Sequence, residues 1–503
     1  MAADGGQPHR LACLNCKHRK KKCDKELPLC GYCVRKGLLC SYQNNPRSNN
    51  HAYATVGGAL EASRRTSSSS SPPAVHVFIP SAADAIPAEV QAETSLYLQV
   101  NRTVRSTGQF VDDITARYFQ GIHRFMPVVS RARFHRSLIT LGSAPAADFS
   151  VLLLSICLIT YDPSAATIRT GGIDRHSILV SARSLFAQLQ VVASPSVHLI
   201  QAGLLLALYE YAHGKPEAAF ASIANCARMA YAAGIHRQRQ RSDLSPTCAS
   251  GLTLDAEEAA NTWWGLAICE RMMICEVAVP DQPLVTIFPG ETSQLPIEPD
   301  VMDQRDIFNP GPISTVLLSS FFTVNVGGFG RAAQAASLLD QVLKAISMLD
   351  LKGRLVHLDS LDSTLQSFLT VIMQQRDGNW GVYCGAIALA IRTLFTLHWH
   401  ILDLAPADIV NAKYKTLDKW LESSHSALET ITKMTLDIAD SHQSILAHKS
   451  DTLPPNCAYM INAALRYLRR DVVGGSYAWR QSAESRLRNS LGPLDRRWGR
   501  DSD

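Results

Sequence analysis

Six cysteines near the start of the chain constrain it more than any other feature. Cys13, Cys16, Cys23, Cys30, Cys33 and Cys40 follow the spacing C-x2-C-x6-C-x6-C-x2-C-x6-C, one unit of C-x2-C-x6-C used twice. A C-x2-C step presents two thiolates from a single helical turn, and the third cysteine returns after a loop. Zinc prefers four sulfur ligands in a tetrahedron. Two ions need eight ligand positions, so six thiolates suffice only if two of them are shared. The spacing therefore predicts a binuclear site with two bridging sulfurs and two zinc ions per chain. A disulfide framework would need an oxidising compartment. The N-terminus, MAADGGQPHR, has no apolar stretch behind its charges to serve as a secretory signal, so an intracellular protein is expected.

The charge is as uneven as the cysteines. Residues 1–50 carry ten Lys or Arg and three acids, a net +7, while the whole chain sums to +5. A basic head on a nearly neutral body is the electrostatic pattern expected for nucleic-acid contact. The remaining seven cysteines (157, 226, 248, 269, 275, 384, 457) are scattered and are expected to be small buried apolar residues. A hydrophobic fraction of 46% and a mean hydropathy of −0.01 describe a soluble globular chain. Apolar runs such as 151–154 with 156–159 fall short of the roughly 18–20 residues that span a bilayer, so no membrane partner is expected.

Cys13–Cys40, within LACLNCKHRKKKCDKELPLCGYCVRKGLLCSY, resembles the fungal binuclear zinc cluster, and Pro28 matches that family's loop proline. The resemblance implies that Cys13 and Cys30 are the bridging ligands. It places Arg19 and Lys20 at the positions that read the bases of a CGG-type triplet in double-stranded DNA. Arg and Lys are the natural donors to guanine in the major groove. Lys17, Lys22, Arg35 and Lys36 are cast as phosphate contacts that set register. The basic run Lys17–Lys22 is expected to form one short helix held by the metal site, with His18 an exposed spacer.

Five segments are expected: 1–10 as a disordered N-terminus, 11–42 as the zinc cluster, and 43–88 as a flexible Ser/Asn/Pro-rich linker. An all-α regulatory domain then spans 89–480, followed by a polar, frayed tail over 481–503. The linker cannot repay the entropy of folding. No a/d heptad is sustained before residue 85, and Leu96, Leu98 and Val100 are too irregular for a zipper. A monomer and a homodimer made through the large domain are both compatible with this.

In the body, Val197, Ile200, Leu204 and Leu208 fall at helical spacing. Gly214-Lys215-Pro216 breaks the run, and a second helix carries Phe220, Ile223, Ala227 and Ala230 before Gly234. The stretches 118–134, 208–237 and 257–284 are similar to the fungal transcription factor regulatory (middle homology) domain. Arg228, Gly234 and His236-Arg237 carry its signature, Ala233 stands where a larger apolar residue is usual, and Glu270-Arg271 replaces Asp-Arg. Trp263, Trp264 and His236 are read as packing residues, and the helices over 338–375 and 408–447 as structural. The resemblance implies a nuclear regulator of RNA polymerase II genes. It would be an activator, working with coactivators on a pathway or secondary-metabolite gene cluster, and a DNA-bound repressor or scaffold is the alternative. An enzyme is not expected, since G-x-S-x-G, H-E-x-x-H, P-loop and G-x-G-x-x-G motifs are absent and GGFG at 327–330 has no strand before it. No residue pattern names an effector ligand.

Overall fold

A helix that is apolar around its whole circumference has to sit inside other helices. Three such helices organise the body: Ala147–Thr160, Val197–Ala212 and Leu254–Ile274, each buried on nearly every face. The computed structural model describes residues 12–13, 16–17, 20–25, 30–35, 88–139, 146–161, 173–237, 254–279, 281–304, 316–375, 380–404, 414–446, 452–470 and 477–499. The chain divides into two units, Met1–Ala85 and Ile86–Asp503. The first contains α1 (Gly31–Arg35). The 43–88 linker expectation lies almost wholly outside the described residues.

The second unit is helical, with one isolated bridge between Gln294 and Leu317 and no longer strand among the described residues. Its helices are α2 (Ala88–Ser106), α3 (Val111–Gln120), α4 (Arg131–Ile139), α5 (Ala147–Thr160), α6 (Arg175–Val192), α7 (Val197–Ala212) and α8 (Pro216–Ala232). They continue with α9 (Leu254–Ile274), α10 (Pro299–Gln304), α11 (Gly328–Ile346), α12 (Leu351–Gln375), α13 (Trp380–Leu402), α14 (Tyr414–Leu446), α15 (Asn456–Arg469) and α16 (Tyr477–Trp498). In the first half α7 is enclosed by α5, α8 and α9. In the second, α13 is enclosed by α11, α12, α14 and α15, and α9 packs on α11 to join the halves.

The α7–α8 hairpin forms as its sequence predicts. The Ser196 side chain accepts the Leu199 amide at 3.1 Å to cap α7, Gly214 turns with φ 74°, Pro216 starts α8, and Gly234 ends it with φ 70°. The apolar-face reading of α7 was too narrow, since Leu199 to Ala212 are all buried. Gly203 is why the neighbours can close in: a Cβ there would strike the Cys226 sulfur and the Phe186 ring. In α2, Leu96, Val100 and Val104 recur every four residues and are buried, so this stripe serves the body's own core.

Two further expectations are corrected. Residues 481–498 are not frayed: α16 runs to Trp498, which is 1% exposed, and Leu487 and Leu494 are buried with it. The Arg497 guanidinium donates to the Ile159 and Tyr161 carbonyls, satisfying the open end of α5. The apolar runs noted in the sequence also missed α13. Gly381–Leu402 is long and apolar enough to cross a membrane, and 72% of that window is buried by its neighbours, as the central helix of a bundle requires.

Candidate metal centre

Cys13 and Cys16 open the first half of the cluster. The Lys17 amide donates to the Cys13 carbonyl at 3.0 Å, and the Lys21 amide donates to the Cys16 carbonyl at 2.9 Å. That second bond spans five residues and closes a left-handed cap at Lys20, whose φ is 51°. One helix over Lys17–Lys22 was expected; the helical turn instead stops at Lys20, and Lys21 and Lys22 continue outside it. Lys17, Lys20, Lys21 and Lys22 are all exposed. Arg35 ends α1, while His18, Arg19, Pro28, Lys36 and Cys40 lie outside the described residues.

The sulfurs of Cys13, Cys16, Cys23 and Cys30 all lie within 4.8 Å of one another. Cys13 and Cys30 are 3.7 Å apart, and so are Cys16 and Cys30. Cys33 lies 3.7 Å from Cys13 and 3.9 Å from Cys16. Four sulfurs at the usual Zn–S length form a tetrahedron with edges of about 3.8 Å, so these residues fit zinc. The two halves also share a detail that spacing alone did not disclose. The Cys16 amide donates to the Cys13 sulfur at 3.4 Å, and the Cys33 amide donates to the Cys30 sulfur at the same distance. Each such N–H favours the thiolate over the thiol.

Protonation in the cluster is divided. Burial, assisted by hydrogen bonds from the neighbouring thiols, pushes the Cys16 thiol up to about 12. Burial likewise raises Cys33. Burial also opposes ionisation of Cys30, but the Cys33 amide and the Cys33 and Cys16 thiols outweigh it and hold Cys30 below its ordinary value. A dication is the natural compensation for further thiolates packed this closely.

The scattered cysteines behave differently. Burial pushes Cys157, Cys226, Cys269 and Cys384 up to about 12 and Cys275 to about 11, as suits inert core thiols. Cys248 lies outside the described residues. Trp263 and Trp264 are buried, and His236 packs at 4.7 Å from the Tyr231 ring and 5.9 Å from Trp263. Gly327–Gly330 begins α11, where the Phe329 and Gly330 amides already donate to the Glu298 carboxylate at 3.2 and 2.7 Å. A Cβ at Gly327 would collide with that carboxylate.

Polar residues buried in the body escaped the sequence reading. The extended 127–130 segment has few backbone partners of its own. Asn261 donates to the Pro127 carbonyl at 3.0 Å and to the Ile297 carbonyl at 2.8 Å, while Glu258 accepts the Ser130 amide at 2.9 Å. Gln201 joins α7 to Glu258 at 3.1 Å. The available signal was the pair Glu257-Glu258, set in an otherwise apolar helix. Glu270 accepts the Val285 and Thr286 amides at 2.6 and 2.9 Å, and Arg271 donates to Asp340 at 3.0 Å, so Glu270-Arg271 pins the following loop to α9 and α11.

Residues 11–49 match the Fungal Zn(2)-Cys(6) binuclear cluster domain, and residues 115–274, from α3 to the end of α9, match the Fungal specific transcription factor domain. The chain therefore carries a fungal zinc-cluster domain followed by a fungal-specific transcription factor domain. It is similar to Transcription factor BOA15 of Botryotinia fuckeliana (strain B05.10), with 29% identity over 128 residues, covering 25% of this chain and 69% of that protein. No solved structure gives a significant match. Fungal zinc-cluster transcription factors are regulators, not enzymes, in agreement with the missing catalytic motifs, and the cluster domain is a zinc-binding one.

Proposed function

We propose that residues 11–42 bind double-stranded DNA and read CGG-type triplets, with two zinc ions per chain held by Cys13, Cys16, Cys23, Cys30, Cys33 and Cys40. Cys13 and Cys30 are the shared ligands in this reading, and each accepts an amide hydrogen bond from its own C-x2-C turn. The observation that carries the proposal is the close set of four cysteine sulfurs beside the exposed cations Lys17, Lys20, Lys21 and Lys22. Zinc supplies charge compensation and rigidity; the lysines and arginines meet the DNA. Arg19 and Lys20 take the bases, while Lys17, Lys22, Arg35 and Lys36 take phosphates.

The helical body, 89–480 extended through α16, is then the regulatory part of a nuclear activator of RNA polymerase II genes, acting with coactivators on one pathway or gene cluster. Mapping the tagged full-length protein across its genome tests this. Sites at CGG-containing promoters of neighbouring genes are expected, with the triplet spacing distinguishing monomer from homodimer. Equal occupancy by an Arg19→Ala/Lys20→Ala variant would overturn the base-reading assignment. Fusion of residues 89–503 to an unrelated DNA-binding module should raise reporter output; a fall would make the protein a repressor.

A further inference from the structure

Positive charge in the body is gathered at its C-terminal end. Residues 456–499 hold eight arginines, no lysine and three acids, a net +5, while residues 51–455 are net acidic. One of the eight, Arg497, is taken up by the open end of α5. Arg466, Arg469, Arg470, Arg486 and Arg488 are exposed, on or just beyond α15 and α16.

Four arginines of the two helices form a connected array. Arg469 Nε and Arg488 Nη2 both donate to Oε1 of Glu484, at 3.5 and 2.8 Å, so two guanidiniums share one carboxylate oxygen. The half-buried Arg480 donates to the Arg470 carbonyl at 3.0 Å, and Arg470 donates to Asp403 at 2.5 Å. Two carboxylates therefore serve four cations. Hydrogen bonds from Arg488, and then from Arg469, hold the Glu484 carboxyl below its ordinary value. The Nη groups of Arg469 meet no acceptor among the described residues.

An ordinary solvated face mixes both signs and uses lysine freely. Here one sign is in surplus, and it is supplied by arginine alone. The guanidinium fork takes two phosphate oxygens at once, which the lysine ammonium does not. Exposed ion pairs of the Glu484 kind are worth little, so a phosphate can displace them at small cost. Two polyanions fit such a face, DNA and an acidic peptide. A chain that already works on a duplex meets DNA phosphates whenever it is bound, so DNA is the favoured partner.

We propose that this arginine face takes backbone phosphates of the duplex flanking the recognised triplet, as a second, sequence-independent DNA contact. The inference rests on the DNA-binding reading above. Four guanidiniums add to the cluster's hold on DNA and do not replace it.

Fluorescence-anisotropy titrations of the zinc-loaded full-length chain test this with one CGG triplet in two settings. One is a hairpin-capped duplex of a single helical turn; the other places the same triplet within four turns of unrelated sequence. The longer duplex is expected to bind at least ten-fold tighter at low salt. Arg469→Gln/Arg488→Gln should remove most of that gain and lower the salt slope on the long duplex by about two, at roughly 0.9 per phosphate. Its affinity for the short duplex and the body's melting temperature should not change. Glu484→Gln removes the shared carboxylate and should raise long-duplex affinity about three-fold, the scale of one exposed charge. Equal affinity for the two duplexes, a length gain untouched by the double variant, or equal loss on both duplexes would each overturn the proposal. So would loss of polyglutamate binding in the double variant with the long duplex unaffected, which would make the face a protein site. If the triplet reading itself fails, the short duplex is not bound, and the long duplex still reports whether the arginines hold phosphates.

Discussion

The two units solve the problem of holding a fold in opposite ways. In the described part of the first, the buried apolar side chains are Cys13, Cys16, Cys30 and Cys33, with Cys23 and Tyr32 packed against them. Among those described residues there is no aliphatic core, and a segment this short cannot bury enough surface to fold unaided. The second unit encloses α5, α7, α9 and α13 in a continuous core of aliphatic and aromatic residues. Cysteine itself shows the contrast. Among close sulfurs it is a ligand, and apart from other thiols, as at Cys157, it is filler. What distinguishes the roles is the number of thiols within reach of one another.

The largest test of that contrast is metal removal. Excess chelator should unfold the cluster and abolish DNA binding, since structural zinc supplies about 10–16 kcal/mol to folds of this kind. The thermal transition of the helical body, followed by circular dichroism, should not move. Loss of both together would show that the body depends on the cluster. The raised Cys16 and Cys33 thiols set the sign with pH. Zinc must displace their protons, so its affinity should rise with pH in a competition titration.

The converse test strikes the body. Trp498→Ala removes a fully buried indole from the end of α16, and large aromatic truncations cost about 3–5 kcal/mol. The body's melting temperature should fall with zinc content unchanged. A wild-type melting temperature would return residues 481–498 to the frayed tail that their composition suggests.

That tail shows where sequence reading reaches its limit. The cluster was legible because metal coordination couples residue type directly to spacing, and six cysteines leave few alternatives. The α7–α8 hairpin was legible because Ser196, Gly214, Pro216 and Gly234 mark its ends with local backbone chemistry. Long-range partnerships were not. Arg497 reads as one more tail cation until it meets the carbonyls of α5, more than three hundred residues earlier. Asn261 and Glu258 satisfy a loop in a distant stretch, and no local pattern announces that. The end of the basic helix at Lys20 was missed for a different reason, because lysine carries no propensity signal for a left-handed cap.

Glu298 offers a test within the body. Burial pushes its carboxyl up to about 7, against the opposing pull of the Gly330 and Phe329 amides. Between its ordinary value of 4.5 and about 7, the folded chain keeps a proton that the unfolded chain has lost. Stability from this group is therefore fully present at low pH and declines as pH rises through that window. Glu298→Gln should flatten the slope read from denaturant midpoints against pH, although its NH2 cannot accept and so forfeits one of the two amide hydrogen bonds. An unchanged slope would assign the pH dependence elsewhere.

Lys20 and Lys22 give the finest comparison, inside the cluster itself. Lys20→Ala should lower affinity for a CGG site by about 1–3 kcal/mol and relax triplet preference, as expected for a base contact. Lys22→Ala should weaken all sequences alike and reduce the salt slope by about one, as expected for a phosphate contact. Lys20 also carries a second, purely conformational load, its φ of 51°. A left-handed L-residue costs roughly 1–2 kcal/mol, whereas glycine is free there. Lys20→Gly and Lys20→Ala both remove the charge, so they should lose DNA affinity equally. Only the glycine variant relieves the backbone, so it should hold zinc against a competing chelator about ten-fold better than the alanine variant, an effect of about 1.4 kcal/mol. Equal zinc retention by the two would mean that the turn after Cys16 relaxes freely, and that the metal alone holds the lysine in place for DNA.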